Sequence, residues 1–281
     1  MVHPNPASPS AGGVAARIDT TVPHPARRYD YLLGGKDNFA ADRASAEAML
    51  AVYPTARTAA MENRRFLSRA VTYLAREAGI RQFLDIGTGI PSMDNTHEVA
   101  QSIAPESRIV YVDNDPIVLV HARALLSSTP QGRTAYLDAD LHRPREIVNH
   151  PDLLATLDLD QPVALLLVAI MHFVVDDADP YGVVDQLMAP LPSGSFLVMT
   201  HFTGDFLPPE LARKIEAAWR ENPANGQGRS RNAEEVGRFF DKLELVPPGI
   251  VPLAQWRAES EPQPRPAPVD VSGYGAVGRK P

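Results

Sequence analysis

The chain has 281 residues, of which 44% are hydrophobic and 22% charged, so it can form one large domain with a sizeable core. Its formal net charge is −7, which argues against a nucleic-acid substrate because such a substrate requires a broad basic surface. The absence of cysteine excludes disulfides, thiolate metal sites and a thiol nucleophile.

The first residues of the chain have the composition of a disordered tail. Residues 1 to about 20 are rich in proline, alanine, serine and glycine. Residues 1–10 lack the apolar segment of a secretory signal, and the longest apolar run, residues 163–171, is too short to cross a bilayer. We therefore expect a cytoplasmic protein that makes no contact with a membrane.

Residues 21–80 are predicted to form a helical N-terminal cap, or lid. Residues 28–39 mix aromatic and charged side chains with a glycine pair, and a helix is predicted over residues 40–51. A longer helix is predicted over residues 58–78, because its apolar residues recur at helical spacing and Gly79 stands where a C-cap is expected.

Residues 81–205 alternate between strand and helix patterns. The predicted strands are residues 82–86, 108–112, 134–137, 163–169 and 195–200. The predicted helices between them are residues 95–103, 116–126, a segment from 144 to 150 or 154, and 179–188. Repeated βα units imply a mostly parallel sheet with right-handed crossovers.

After the fifth strand the pattern changes to two helices and two closing strands. The helices are predicted over residues 208–221 and 233–240, and the strands over 243–246 and 273–277. The predicted fold is α/β, a Rossmann-like, doubly wound, seven-stranded and mostly parallel sheet with a helical N-terminal cap. A single domain spans residues 21–281, with the lid at 21–80, a cofactor-binding core at 81–205 and the C-terminal helices and strands at 206–281.

The most informative motif lies where the first strand meets a glycine turn. After Asp85, Gly87 and Gly89 allow the chain to turn without a Cβ clash, at the sheet edge where ligands of α/β proteins bind. Asp113, 24 residues beyond Gly89, ends the next strand, where a carboxylate accepts hydrogen bonds from ribose hydroxyls. A dinucleotide is disfavoured because its pattern needs glycine where Ser92 stands. The motif therefore predicts an adenosyl cofactor.

Several segments resemble known methyltransferases. Leu-Asp-Ile-Gly-Thr-Gly at residues 84–89 resembles motif I of class I S-adenosylmethionine methyltransferases, and Val-Asp-Asn-Asp-Pro at 112–116 resembles their second motif. With residues 29–38 and 256–257, these segments resemble an actinobacterial S-adenosyl methyltransferase family whose substrate is open. The resemblance extends from about residue 20 to the C-terminus, although Pro91 stands where many methyltransferases carry a third glycine.

The resemblance implies S-adenosyl-L-methionine as the cofactor and assigns residues to its parts. The residues expected around the methionine part are Asp85, Gly87, Thr88 and Gly89. Asp113 would bind the ribose, and Asn114 would lie beside the adenine. Either Asp138 or Asp140 would accept a hydrogen bond from the adenine amino group, with Leu141 packed on the ring.

The resemblance also implies contacts near the transferable methyl group. Val168 and Ala169, at the end of the fourth strand, would lie under it. The lid would contribute Tyr31, Gly34 and Gly35. Arg64, on the long N-terminal helix, could pair with the cofactor carboxylate, although a surface ion pair is the commoner role for such an arginine.

Two histidines are candidate general bases. His172 follows the fourth strand and His201 the fifth, where a substrate would lie, and an ordinary imidazole pKa suits base catalysis near neutrality. His172 is the better candidate, since it is nearer to the cofactor-facing end of its strand. No metal site is predicted, because the acidic residues at 176–179 are typical of a solvated loop before a helix.

The leading hypothesis is a methyltransferase that acts on oxygen or nitrogen of a small molecule and releases S-adenosyl-L-homocysteine. The alternative is a catalytically inactive S-adenosylmethionine-binding module with a regulatory or interaction role. A nucleic-acid amino-methylating enzyme is disfavoured, because Ala-Ile-Met-His at residues 169–172 replaces the expected Asn-Pro-Pro-Tyr type of signature. The oligomeric state is left open.

Overall fold

The computed structural model describes residues 18–92, 94–125, 127–221 and 228–281. The tail predicted for residues 1 to about 20 lies almost entirely outside the described residues, and so does Leu126, the predicted end of one helix. In the described part, a helical cap precedes a sheet that has apolar clusters on both faces.

Three helices form the cap. They are α1 (Pro25–Leu32), α2 (Ala40–Val52) and α3 (Ala56–Arg76). The last two correspond to predicted helices, whereas α1 has no counterpart in the prediction. Its first turn contains Pro25, whose missing N–H costs nothing there, and the His24 side chain accepts a hydrogen bond from the N–H of Ala26 at 3.3 Å.

The described strands form one mixed sheet. They are β1 (Gln82–Ile86), β2 (Arg108–Asp113), β3 (Arg133–Asp138), β4 (Ala164–Leu167), β5 (Phe196–Phe202), β6 (Glu244–Leu245), β7 (Val251–Pro252) and β8 (Gly273–Arg279). The order is β3-β2-β1-β4-β5-β8-β6, with β7 paired to β8. Strands β1 to β5 are parallel and β8 is antiparallel to β5, so the predicted fold class is confirmed. The two-residue β7 adds an eighth strand to the predicted seven.

Further helices connect and follow the strands. They are α4 (Thr96–Ile103), α5 (Pro116–Leu125), α6 (Pro144–Val148), α7 (Pro151–Thr156), α8 (Pro180–Met188), α9 (Pro209–Glu221), α10 (Ala233–Gly237) and α11 (Pro268–Val271). The single helix predicted after β3 is divided into α6 and α7, because Pro151 cannot continue a helix but can begin one. Within the described ranges, none of the helices has the length and apolar character to cross a bilayer.

The core occupies both faces of the sheet. All five residues of β1 are buried, as expected for a central parallel strand covered on both sides. Leu84 and Ile86 pack in one cluster with α6, α7 and α8, whereas Phe83 packs in the other with α3 and α4. This arrangement fixes the carboxyl ends of β1, β2, β4 and β5 at one edge, beneath the cap.

Candidate active site

The glycine turn after β1 is closed against β2 and against the chain that follows β4. Gly87 and Gly89 have φ values of 76° and 65°, in the left-handed region that favours glycine. A Cβ on Gly87 would lie 2.7 Å from Ile170 Cγ1, so no larger residue fits at that position. A Cβ on Gly89 would meet nothing within 4 Å, which leaves its backbone open to the cleft.

The carboxylate of Asp113 links the turn to the end of β2. Its Oδ2 accepts a hydrogen bond from the N–H of Gly89 at 2.9 Å, and its Oδ1 accepts one from the N–H of Asp115 at 2.9 Å. Burial raises the pKa of Asp113, although these two hydrogen bonds oppose the shift. Since a carboxylate has about four acceptor positions, capacity for ribose hydroxyls is left on the same group.

Asp85 is the second buried carboxylate of this edge. It is 6% exposed, and its Oδ2 accepts a hydrogen bond of 2.6 Å from the Thr96 hydroxyl. Burial raises the pKa of Asp85 to about 6, while the Thr96 hydrogen bond and the positive charge of Arg64 act against that rise. Asp85 is therefore held where it can accept a hydrogen bond from a cationic or amino group in the cleft.

A cleft of about 190 Å³ lies between this edge and the cap. Most of the predicted cofactor contacts line it together: Asp85, Gly87, Thr88, Gly89, Asp113, Asn114, Asp140, Leu141, Val168 and Ala169. The Oδ1 atom of Asp140 lies 2.8 Å from His142 Nδ1 and accepts the His142 N–H at 2.9 Å. Burial alone would raise the pKa of Asp140, but His142 outweighs it and the pKa is lowered, so the carboxylate is ionised.

Four predicted cofactor contacts do not line the cleft. Asp138 is an exposed residue that pairs in register with Asp113 on the neighbouring strand, so Asp140 is the acid that faces the cleft. Tyr31 points elsewhere, since its hydroxyl donates to the Glu47 carboxylate and the Arg57 guanidinium lies 4.8 Å above its ring.

The Gly34-Gly35 pair shapes the cap loop. Gly34 has a φ of 82°, and a Cβ on Gly35 would lie 1.9 Å from Asp30 Oδ1. Asp30 in turn accepts a hydrogen bond from Asn38 Nδ2 at 2.7 Å. These glycines are thus required by the loop that joins α1 to α2, which accounts for their pattern without a ligand contact.

The cap contributes side chains to the cleft that the sequence pattern did not identify. These include Tyr29 and Asn63, together with Leu67 one helical turn further along α3. Arg64 also lines the cleft, and its Nη2 donates to the carbonyl of Asp94 at 3.0 Å. The spacing of Asn63 and Leu67 could have identified these two residues from the sequence, because it places both on one face of α3.

A second, apolar cavity of about 430 Å³ adjoins the cleft. Both are lined by the same five residues at their junction: Pro25, Tyr29, Asn63, Ala169 and Phe173. Aromatic side chains from separate elements form much of the apolar cavity: Tyr53, Phe173, Phe202 and Trp219. Among the described lining residues, Arg28 is the one arginine or lysine, and no carboxylate is present.

A chain of hydrogen bonds crosses this junction. The N–H of Ala169 donates to Thr200 Oγ1 at 2.8 Å, and that hydroxyl donates to Asn63 Oδ1 at 2.6 Å. Asn63 Nδ2 donates to the Tyr29 hydroxyl at 2.9 Å, which donates to the carbonyl of Ala60 at 3.0 Å. Strand β4 ends at Leu167, earlier than predicted, and the chain holds Ala169 at a φ of 56°, which is unusual for alanine.

The two candidate histidines both line the apolar cavity, with ring centroids 6.0 Å apart. His201 uses both nitrogens, since its Nδ1 lies 2.7 Å from the carbonyl of Phe202 and its Nε2 2.9 Å from Arg231 Nη1. His172 Nδ1 is buried and has no hydrogen-bond partner among the described residues. Burial, reinforced by nearby Arg231, lowers the pKa of each histidine to about 3, so both are neutral at neutral pH.

Arg231 fixes the loop that carries His172. This fully buried arginine donates to the carbonyls of Met171 and Val174 at 3.2 and 2.9 Å. Its Nη2 also lies 2.8 Å from Asp176 Oδ1, so this acidic residue serves an ion pair. The loop after β4 is thereby held against β5, and the position of His172 follows from it.

The chain has clear relatives. A family model described as S-adenosyl methyltransferase matches residues 11–281. A DUF574 family protein from Streptomyces avermitilis is 48% identical, with a TM-score of 0.88 over 94% of this chain and 100% of that one. A protein from Thermobifida fusca is 44% identical, with a TM-score of 0.86 over 96% of this chain and 98% of that one. No curated protein matches the chain.

A more distant likeness concerns the fold alone. An O-methyltransferase family protein from Burkholderia thailandensis is 13% identical, with a TM-score of 0.53 over 96% of this chain and 67% of that one.

The residues of the cleft fit an adenosyl cofactor independently of these likenesses. The cleft combines an open glycine backbone with the buried Asp113 carboxylate and the apolar Leu141.

Proposed function

Because the chain belongs to the S-adenosyl methyltransferase family, we propose that it transfers a methyl group to an oxygen or nitrogen atom of a small molecule. The observation that carries the proposal is the junction at Ala169, where the cleft meets an apolar cavity of about 430 Å³. When bound, S-adenosyl-L-methionine supplies an electrophilic methyl group, and its transfer to a lone pair of the acceptor leaves S-adenosyl-L-homocysteine and a proton.

In this proposal the cleft residues hold the cofactor by its separate parts. Asp113 accepts hydrogen bonds from the ribose, and Asp140 accepts one from the adenine amino group beside Leu141. Asp85 and the glycine turn surround the methionine part. Val168 and Ala169 lie at the end of the cleft that opens into the apolar cavity, where the methyl group must be presented.

The apolar cavity holds the acceptor in this proposal. Fixing the acceptor next to the cofactor supplies much of the rate enhancement of an in-line displacement. His172 lines the cavity with a neutral imidazole, so it suits the role of hydrogen-bond acceptor toward the nucleophile. His201, with both nitrogens engaged, suits a positioning role between Arg231 and His172.

A mainly apolar cavity of about 430 Å³ suits a small molecule rather than a nucleic acid. We therefore propose a small-molecule acceptor and no nucleic-acid partner. We also propose a cytoplasmic location, where S-adenosylmethionine is supplied. The net charge of −7 agrees with the absence of a nucleic-acid partner.

The test is calorimetric titration of the purified chain with S-adenosylmethionine, S-adenosylhomocysteine and NAD, followed by mass-spectrometric detection of methyl transfer to a panel of phenols, carboxylic acids and amines. We expect the first two compounds to bind and NAD not to bind, with transfer to at least one acceptor. Binding of NAD alone would overturn the proposal. Cofactor binding without transfer to any acceptor would support the inactive module instead.

A further inference from the structure

We propose that Thr96 is a positioning residue for the cofactor: its hydroxyl holds one oxygen of the Asp85 carboxylate, and the other oxygen receives the amino group of the methionine part. The affinity for the cofactor therefore depends on the ionisation of Asp85 and falls in mild acid. This inference deepens the proposed function, on which it rests, by adding a residue that acts from behind the cleft.

The two oxygens of Asp85 have different surroundings. Oδ2 accepts the 2.6 Å hydrogen bond from Thr96, a residue that is 1% exposed and is not among the described residues that line the cleft. Oδ1 accepts no hydrogen bond from the described residues and is open to the cleft that Asp85 lines. Because the terminal torsion of an aspartate is otherwise broadly distributed, the Thr96 hydrogen bond fixes the direction of the open oxygen.

The start of α4 holds Thr96 in place beside Asp85. Thr96 is the first residue of this helix, and the next residue, His97, is tied to β2. The backbone N–H of His97 donates to the Tyr111 hydroxyl at 2.8 Å, and its ring Nδ1 lies 2.8 Å from the same oxygen. The N–H of Asn95 donates to the Glu98 carboxylate at 2.8 Å, as in a capping box. These bonds hold the first turn without the Thr96 hydroxyl, so its removal should leave the helix in place.

The ionisation of Asp85 depends on a balance of opposed effects. Burial raises the pKa of Asp85 to about 6, and the negative charge of Asp113 acts in the same direction. The Thr96 hydrogen bond and the positive charge of Arg64 on α3 oppose the rise. Thr96 and Arg64 thus favour the charged form of Asp85, and a ligand ammonium group adds to their effect.

The other titratable side chains packed near Asp85 are neutral at neutral pH. Burial raises the pKa of Tyr111 on β2 and of Tyr136 on β3, and the charge of Asp85 adds to both shifts. Burial lowers the pKa of His97 on α4. On the β4 side, the residue paired with Asp85 is the apolar Leu166. Asp85 is therefore the group of this set whose charge changes near pH 6.

The sign of the pH dependence follows from this arrangement. An ammonium group favours the ionised carboxylate, so the bound ligand lowers the pKa of Asp85, and binding in acid must release its proton. The ammonium contribution to affinity is therefore fully present well above the pKa of about 6. It is lost as the pH falls below that value, by at most about tenfold per pH unit.

The test is calorimetric titration between about pH 5 and pH 8 with S-adenosylhomocysteine and with its deamino analogue, in which hydrogen replaces the amino group. His24, Asp113 and His142 also line the cleft, and their titration affects both ligands alike, because both ligands carry the adenosine and the carboxylate. We expect the affinity of the wild-type chain for S-adenosylhomocysteine to fall below about pH 6 relative to that for the analogue. Asp85→Asn should abolish this difference between the two ligands.

Thr96→Val keeps the shape of the side chain and removes the hydroxyl. It should raise the midpoint of the pH dependence by about one to two pH units, as expected for loss of a hydrogen bond to a charged group. The affinity for S-adenosylhomocysteine should then fall about tenfold at about pH 6.5 and return to within about twofold of the wild-type value at about pH 8. The affinity for the deamino analogue should not change. Thr96→Ala should show the same recovery, and Thr96→Ser should behave as the wild type.

The matched control is Thr156→Val. Thr156 is also 1% exposed, its hydroxyl has no hydrogen-bond partner among the described residues, and it lies outside the described cleft lining, so both affinities should be unchanged. Identical pH profiles for the two ligands, equal losses of both affinities in Thr96→Val, or a loss that persists at about pH 8 would overturn the inference. Absence of binding by both ligands at every pH would instead contradict the proposed function.

Discussion

The backbone N–H of Ala169 donates a 2.8 Å hydrogen bond to the side chain of Thr200, so the chain leaving β4 is anchored to β5 rather than to its own strand ladder. Because the Thr200 hydroxyl passes the connection on to Asn63 in α3, the cap, the two strands and the junction of the two cavities are joined by one set of hydrogen bonds. The cap is thus a structural part of the site and not only its cover.

Thr200→Val tests this anchor. Valine has the same shape but no hydroxyl, so the N–H of Ala169 and the carbonyl oxygen of the Asn63 side chain lose their partner. We expect the free energy of unfolding in urea to fall by about 1–3 kcal/mol, the usual cost of unsatisfied buried polar groups. Thr200→Ser keeps the hydroxyl and should be much less destabilising. Equal losses for the two variants would show that packing, and not the hydrogen bond, matters there.

Asp113→Asn tests the ribose contact. The amide keeps the shape of the side chain but removes its charge and part of its acceptor capacity, so the affinity for S-adenosylhomocysteine should fall by about one to two orders of magnitude in calorimetry. Asp138→Asn, at the paired position of β3 and outside the cleft, is the control and should leave the affinity unchanged. An unaltered affinity in folded Asp113→Asn protein would remove this carboxylate from the ribose role.

The buried histidines predict a specific acid sensitivity. A pKa of about 3 in the folded chain, against an ordinary value near 6.5, means that unfolding takes up a proton below about pH 6.5. The contribution of each neutral histidine to the free energy of unfolding is therefore fully present above that pH. It is lost as the pH falls from 6.5 toward 3, by about 1.4 kcal/mol per pH unit for each such histidine. His172→Gln removes one of these two histidines. In urea unfolding between pH 4 and 6, the number of protons taken up on unfolding should therefore fall by about one. Parallel pH curves for both proteins would contradict the prediction.

Arg231 and Arg229 offer a matched pair of arginines on one loop. Arg231→Met removes donors from two carbonyls and from His201, and we expect a loss on the order of 3 kcal/mol in the free energy of unfolding. Arg229 forms ion pairs that are partly exposed, so Arg229→Met should cost less than about 1 kcal/mol. Thermal unfolding of the two variants side by side measures the difference, and similar losses would refute the role assigned to Arg231.

The parts of the site that could be predicted are those encoded locally. Asp85, the glycine turn and Asp113 follow from a strand, a turn and the next strand tip, and the predicted family is confirmed. The sequence pattern left the choice between Asp138 and Asp140 open. In the structure Asp140 lines the cleft and accepts the N–H of His142, whereas Asp138 does not line it.

The other features of the site depend on tertiary structure and could not be predicted from the local sequence. Whether Tyr29 or Tyr31 reaches the cleft depends on the rotation of α1, which is set by its packing against α2 and α3 rather than by its own pattern. The positive φ of Ala169 carries no sequence signal, since alanine is an ordinary residue there, and its N–H donates to a threonine 31 residues away. Residues from the cap, from strand β5 and from the C-terminal elements line the apolar cavity, so its shape could not be predicted from the sequence pattern.

The two tryptophans of the chain are divided between different environments. Trp256 is fully buried and packs edge-on against Phe66 at 5.4 Å, whereas Trp219 faces the apolar cavity. The protein therefore carries its own pair of optical probes. Fluorescence from one indole should respond to a molecule that enters the cavity, while the other should report only whether the core is intact, and Trp219→Phe separates the two signals.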